Sequence, residues 1–238
     1  MRVLLAGSIV ALLGIATITA SGAPGTLGTP GTPRTSGTSG TSSPQALPRI
    51  VALGDSLTSG RGIRRDEAYP AVLQDRLDAA GLRLDVINAG RSGATSADGV
   101  RRLASAFEGD VRVLIVALGA NDGLRGRPVE QLTSNLTQII TEARMRGIAV
   151  LLCGMEALPL YGLDYSIKFH LVYRDLAERF ALPLVPFMLT GVIGRQEMMQ
   201  PDRIHPTAAG AQAIADNIWP YLKPLAEAAV LSRVAAPE

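Results

Sequence analysis

Residues 111–123 read VRVLIVAL followed by GANDG. Apart from Arg112, the first eight residues are apolar, and they are rich in β-branched side chains, which suits a strand buried on both faces inside a parallel sheet. A glycine stops the run and a polar turn follows. The same pattern recurs on either side. Ile50–Leu53 is a short apolar run halted by Gly54-Asp55-Ser56, and Leu84–Ile87 leads into Asn88-Ala89-Gly90-Arg91-Ser92-Gly93. Ile148–Leu152 and Leu184-Val185 are two further strand candidates. Helical patterns fill the intervals. Tyr69-Pro70 opens one that carries Leu73, Leu77 and Ala80 and closes at Gly81. Others run over Ser96–Phe107, Pro128–Arg146 and Tyr165–Phe180, and a last one starts at Pro206. Strands alternating with helices of this length predict an α/β fold, a three-layer α/β/α sandwich with a central parallel sheet.

The N-terminal segment is of another kind. After Met1-Arg2, Val3–Ala20 is almost wholly apolar, as expected of an export signal, and residues 21–47 are nearly all Ser, Thr, Gly and Pro, as expected of a flexible linker. Residues 1–20 are therefore read as a signal peptide or membrane anchor, since such a stretch nearly spans a bilayer. The expected location is periplasmic or secreted, with membrane proximity if residues 3–20 stay attached. No cysteine follows the apolar stretch, which excludes a lipoprotein anchor. Residues 48–238 remain as one domain, expected to be a monomer.

Composition narrows the function. The net charge of +2 is held by Arg2 and Arg34, so the domain is formally neutral, and it has no basic run with interleaved aromatics. Nucleic acid is excluded as a partner. Cys153 is the only cysteine, which excludes an intrachain disulfide and a cysteine-based zinc site; after its apolar run it reads as a packing residue. Neither a phosphate-binding loop nor a dinucleotide fingerprint is present, and Thr58 stands where an α/β-hydrolase elbow around Ser56 needs glycine.

In parallel sheets, function gathers at the carboxyl ends of strands. Gly54-Asp55-Ser56, Ser92-Gly93 and Gly119-Ala120-Asn121-Asp122 each follow a strand, so they should meet on one rim. A serine nucleophile needs a base and a group to orient that base. The chain has two histidines. His170 lies in a helical pattern and reads as a surface or packing residue. His205 follows Asp202 by three residues, and one turn lets the carboxylate face the imidazole. Candidate oxyanion donors are the Ser56 N–H, the Gly93 N–H and the Asn121 amide. Each has a plainer reading, in which Ser56 caps a helix, Asp202 caps a turn and Asn121 belongs to a turn. Asp55 is expected to brace its turn. Met155, Leu158, Leu160, Tyr161, Met198, Met199 and Ile204 lie in loops near the rim as candidates for an apolar acyl groove. Arg125 and Arg127 are candidates for a phosphate or coenzyme A head group or for a solvated loop.

Gly54-Asp55-Ser56-Leu57, Gly93, Gly119-x-Asn121-Asp122 and Asp202-x-x-His205 resemble, in order and spacing, the four blocks of the SGNH (GDSL) hydrolase superfamily. Asn88-Ala-x-x-Ser92-Gly93-x-Thr95-Ser96, Asn121–Gly126, Tyr161-Gly162 and Pro183-Leu184-x-Pro186-Phe187 resemble its bacterial thioesterase, arylesterase and lysophospholipase branch. The resemblance implies a flavodoxin-like SGNH hydrolase fold. It implies an acyl-ester hydrolase with Ser56 as nucleophile, His205 as base and acid, Asp202 as orienter, and an acyl-binding loop at Gly123–Val129 that includes Leu124. Ala120, where a second glycine is frequent, the charged Arg91 and the linker depart from the pattern. Such a cycle uses an acyl ester or lipid as its small-molecule partner and needs no metal or organic cofactor. Two other classes stay open. One is a metal-dependent phosphoesterase built on Asp55, Asp122, Asp202 and His205, and the other is a non-catalytic glycan- or lipid-binding module on a stalk.

Overall fold

The apolar runs are the strands of one five-stranded sheet. In chain order the elements are β1 (Arg49–Gly54), α1 (Ser56–Ser59), α2 (Tyr69–Ala79), β2 (Asp85–Gly90), α3 (Ser96–Arg101), α4 (Leu103–Ala106), β3 (Val111–Ala117), α5 (Ala120–Leu124), α6 (Val129–Met145), β4 (Ala149–Cys153), α7 (Leu163–Phe180), β5 (Leu184–Val185) and α8 (Ala208–Val234). This computed structural model describes residues 46–234. The expected leader and the linker up to residue 45 lie outside the described residues.

Strand order is β2-β1-β3-β4-β5, with every pairing parallel. The run that reads as the innermost strand is innermost: Val113 to Leu118 are completely buried. From β1 the chain steps one way to β2 and then back across β1 to β3, which makes a topological switch point between β1 and β3. Right-handed crossovers then place α2 on one face and the helices of the remaining crossovers on the other. Contacts agree, since α2 packs on α8 while α3 and α7 pack on α6. On α6, Leu132, Leu136, Ile139, Ile140 and Ala143 form the buried stripe at helical spacing. Among the described residues no helix is long and apolar enough to cross a membrane. Cys153 is fully buried, and burial pushes its thiol up to about 12, so it packs and does not react.

Beyond shifts of one or two residues at element ends, two boundaries differ from those expected. β2 runs through Asn88-Ala89 to Gly90, because this edge strand keeps its pairing with β1 to the last residue, and Asn88 Nδ2 donates to the Thr58 carbonyl at 2.8 Å. The Ser96–Phe107 pattern is two short helices divided at Arg102. The Arg102 guanidinium donates to the carbonyls of Ala89 (2.7 Å) and Gly54 (3.0 Å), tying the ends of β2 and β1 together.

Register sets the working rim. Gly54 lies opposite Gly90 on one side and Ala117 on the other, so β2, β1 and β3 end at one level and their following loops leave together. α1 lies directly against these ends. A β-carbon on Gly90 would come within 2.2 Å of the Ser59 backbone nitrogen, and one on Gly54 within 1.9 Å of Thr58 Oγ1. Gly90→Ala is therefore expected to lower stability by about 1–3 kcal/mol, the usual cost of overpacking, and to displace α1, reducing turnover. Urea unfolding and steady-state kinetics on the variant check both.

Candidate active site

Ser56 is the first residue of α1, and Asp55 is its N-cap. Asp55 Oδ1 accepts from the Leu57 N–H at 2.9 Å, and Gly60, left-handed at φ 70°, ends the single turn. The cap presents the serine hydroxyl at the carboxyl end of β1, beside the switch point. Thr58, which breaks the elbow pattern in sequence, is buried and hydrogen-bonded to the Tyr69 hydroxyl at 2.9 Å.

His205 arrives from the far end of the chain. Its Nε2 lies 3.1 Å from Ser56 Oγ, and its Nδ1 lies 2.6 Å from Asp202 Oδ2. The second carboxylate oxygen, Oδ1, accepts the backbone N–H groups of Ile204 and His205, both at 3.0 Å. These bonds from His205 and Ile204 hold the Asp202 carboxyl well below the usual carboxylate range. An ionised carboxylate at Nδ1 makes that nitrogen the donor, which turns the Nε2 lone pair toward Ser56. Gln200 fastens the loop: its N–H donates to the His205 carbonyl, and its Nε2 donates to the carbonyls of Arg61 and Pro206, each at 2.8 Å. Arg203, at the tip, has φ 57°, a left-handed conformation costing roughly 1–2 kcal/mol for a residue with a β-carbon.

The expected oxyanion donors gather around the serine. Ser56 N–H opens a helix and so has no intrahelical acceptor. Gly93, at φ 77°, follows β2, and among the described residues none accepts its N–H. Asn121, on α5 just beyond β3, donates through Nδ2 to the Ala94 carbonyl at 3.0 Å and to Asp55 Oδ2 at 3.2 Å. Asp55 therefore joins the nucleophile's turn to the amide across the switch point. Burial pushes its carboxyl up to about 6, opposed by the bonds from Leu57 and Asn121 and by His205.

These observations bring the comparisons to bear. Residues 52–213 match the model of the GDSL-like lipase/acylhydrolase family. The chain belongs to that family. It is 41% identical over 181 residues to Esterase TesA of Pseudomonas aeruginosa, covering 76% of this chain and 90% of the relative. It is 35% identical over 181 residues to Thioesterase 1/protease 1/lysophospholipase L1 of Escherichia coli, covering 76% and 86%. Among solved structures, that of the psychrotrophic esterase EstA from Pseudoalteromonas sp., inhibited by monoethylphosphonate, aligns with TM-score 0.70 at 32% identity, covering 74% of this chain and 97% of that one. The chain is thus a GDSL-type ester hydrolase with the five-stranded fold of that family.

In this GDSL hydrolase, Ser56, Gly93, Asn121 and His205 all line one pocket of about 350 Å³. Of the expected substrate contacts, Leu124, Arg125, Leu158 and Ile204 line it, as does Met155. Tyr161 does not: its hydroxyl donates to the Leu124 carbonyl at 3.1 Å, and its ring fills the space beside Gly126, so it backs the loop. Leu160, Met198 and Met199 also stand outside this lining. Phe187, Leu189 and Ile193, from the segment after β5, and Arg61 and Arg203 were not foreseen, because no periodicity marks loop residues that converge only in space. A larger recess of about 600 Å³ lies behind Arg203 and Gln200 but contains neither Ser56 nor His205.

The carboxylates of the metal-site alternative do not converge. Asp122 is engaged by the Ser96 N–H (2.8 Å) and hydroxyl (2.7 Å), while Asp55 and Asp202 are committed as described. Among the described residues no group of three or more His, Cys, Asp and Glu is placed to hold a metal ion. His170 is on α7, exposed, with Nδ1 2.6 Å from Glu156 Oε1.

Asp202→Asn should lower kcat on the order of 10²–10³-fold, less than the ~10⁴-fold known for a buried orienting carboxylate, because the Asp202 side chain is 45% exposed and water substitutes in part. Its unfolding midpoint should move little, and kinetics beside a denaturation curve test both.

Asp55 gives a pH signature. Its folded-state value lies above the ordinary 3.8, so folding takes up a proton between those values, and the group's contribution to stability falls as pH rises toward about 6. Relative to Asp55→Asn, wild-type stability should drop by about 2 kcal/mol from about pH 4 to about pH 7. Urea midpoints whose difference is constant with pH would overturn this assignment.

Proposed function

We propose that the chain hydrolyses acyl esters, thioesters or lysophospholipids through an acyl-enzyme on Ser56. The observation that carries this reading is the continuous chain of contacts from Ser56 Oγ to His205 Nε2 and from His205 Nδ1 to Asp202, beside an apolar pocket. His205 Nε2 takes the hydroxyl proton as Oγ attacks the acyl carbonyl carbon. The resulting oxyanion is held by the N–H groups of Ser56 and Gly93 and by Asn121, whose longer bond to Asp55 is the one it would share. As the intermediate collapses, the bond to the leaving alkoxide or thiolate breaks and that group takes the proton from His205. Water then attacks the acyl carbon, gives a proton to Nε2, and the acid leaves as Oγ recovers that proton. Inhibition of the EstA relative by monoethylphosphonate supports a serine-directed reaction of this kind.

Export to the periplasm or the medium is part of the proposal, supported by Val3–Ala20 and the linker that follows. So is action as a monomer, supported by the contacts of Ser56, His205 and Asp202 and the placement of Gly93 and Asn121 within one chain.

The deciding experiment compares wild type with Ser56→Ala on p-nitrophenyl esters from acetyl to palmitoyl, with an ethylphosphonate probe alongside. Wild-type turnover, its loss in the variant, and labelling confined to Ser56 are expected. The rate should rise with acyl length and then level off when the chain outgrows the cavity. Binding of acyl ligands without turnover would favour the non-catalytic module, and equal turnover by Ser56→Ala would remove the nucleophile assignment.

A further inference from the structure

The pocket lining combines apolar side chains with three arginines and the carboxylate of Glu156. Leu158, Phe187, Leu189 and Ile193 come from segments that follow β4 and β5. Arg61 and Arg125 come from segments that follow β1 and β3, and Arg203 comes from the tip of the His205 loop. The Arg125 guanidinium donates to the Gly93 carbonyl at 3.0 Å, so it stands at the β2 side of the oxyanion loop.

None of the three arginines takes part in an ion pair among the described residues. The carboxylates within reach are already committed. Asp55 is buried on Leu57 and Asn121, Glu156 is bonded to His170, and Asp202 accepts two backbone N–H groups and His205. Arg203 also occupies a left-handed backbone position at φ 57°, where glycine would be relaxed. Strain of that sort is characteristic of functional sites. The triad does not use the guanidinium, which leaves its charge in the pocket lining unexplained by the reaction alone.

We propose that Arg61, Arg125 and Arg203 form a recognition site for a phosphate carried by the leaving alcohol or thiol of the substrate. The inference rests on the ester-hydrolase reading and adds specificity to it. Guanidinium groups offer paired donors that match phosphate oxygens. With the acyl chain among the apolar side chains and the scissile carbonyl at Ser56, the leaving group is the part that faces the arginines. A lysophospholipid head group and a coenzyme A thioester share this chemistry.

The test uses matched pairs below their micellar concentrations: lauroyl lysophosphatidic acid against monolauroylglycerol, and lauroyl-coenzyme A against the lauroyl thioester of N-acetylcysteamine. The full chain is compared with Arg203→Gly, Arg203→Lys, Arg61→Gln and the Arg61→Gln/Arg203→Gly double variant. Wild type should favour the phosphorylated member of at least one pair in kcat/KM, and the pair that shows the preference identifies the source. Arg203→Gly should reduce that ratio about five- to ten-fold, with a larger loss in the double variant and partial recovery in Arg203→Lys. Added salt should erode the wild-type preference. Glycine is relaxed at this φ, so Arg203→Gly is expected to fold. A double variant whose ratios stay within about twofold of wild type overturns the inference, as does a wild type with no preference in either pair. If wild type cleaves neither monolauroylglycerol nor the uncharged thioester and matches Ser56→Ala, the hydrolase reading fails and the inference falls with it.

Discussion

Three parallel strands that stop at one level make the rest of this molecule possible. Gly54 stands between Gly90 and Ala117, so the loops after β1, β2 and β3 leave the sheet side by side. The two glycines remove the β-carbons that would otherwise hold α1 away from the strand ends. Ser56 can then sit at the crest of the sheet, with Gly93 and Asn121 on either side and the switch point beneath. A change of one residue in any of these registers would turn the corresponding loop toward the other face.

Two aspartates of the site show how placement divides labour between identical side chains. Asp55 is buried beneath the serine turn, where desolvation raises its carboxyl and its bonds to Leu57 and Asn121 join two loops. Asp202 stands at the solvent edge, where His205 and two backbone N–H groups stabilise its charge and lower it. The first joins two loops, and the second faces the His205 imidazole. Environments that push like groups apart in this way are a recurring means of assigning acid–base roles.

The pocket repeats that division on a larger scale. Its arginines come from the segments following β1 and β3 and from the His205 loop, while the segments following β4 and β5 supply Met155, Leu158, Phe187, Leu189 and Ile193 together with Glu156. The fold thus bears on specificity as well as catalysis, because loop positions along the sheet decide which end of a substrate each side can meet.

The α/β class, the inner position of Val111–Leu118 and the grouping of Ser56, His205 and Asp202 were legible in the chain, because buried parallel strands and serine chemistry each demand specific residue types in order. Asp202 and His205 are three residues apart, so local turn geometry sufficed to pair them. Other features needed the tertiary structure. The extension of β2 to Gly90 depends on an edge pairing, and the break at Arg102 accompanies contacts to two strand ends. Tyr161, chosen for being apolar and near the rim, turned out to back Leu124. Phe187, Ile193, Arg61 and Arg203 lie in loops without period and converge only when distant segments pack. Sequence by itself determined the chemistry, because each reactive group is a residue type at a recognisable turn. Tertiary structure decided the shape and charge of the pocket, because those depend on distances between segments that no local pattern encodes.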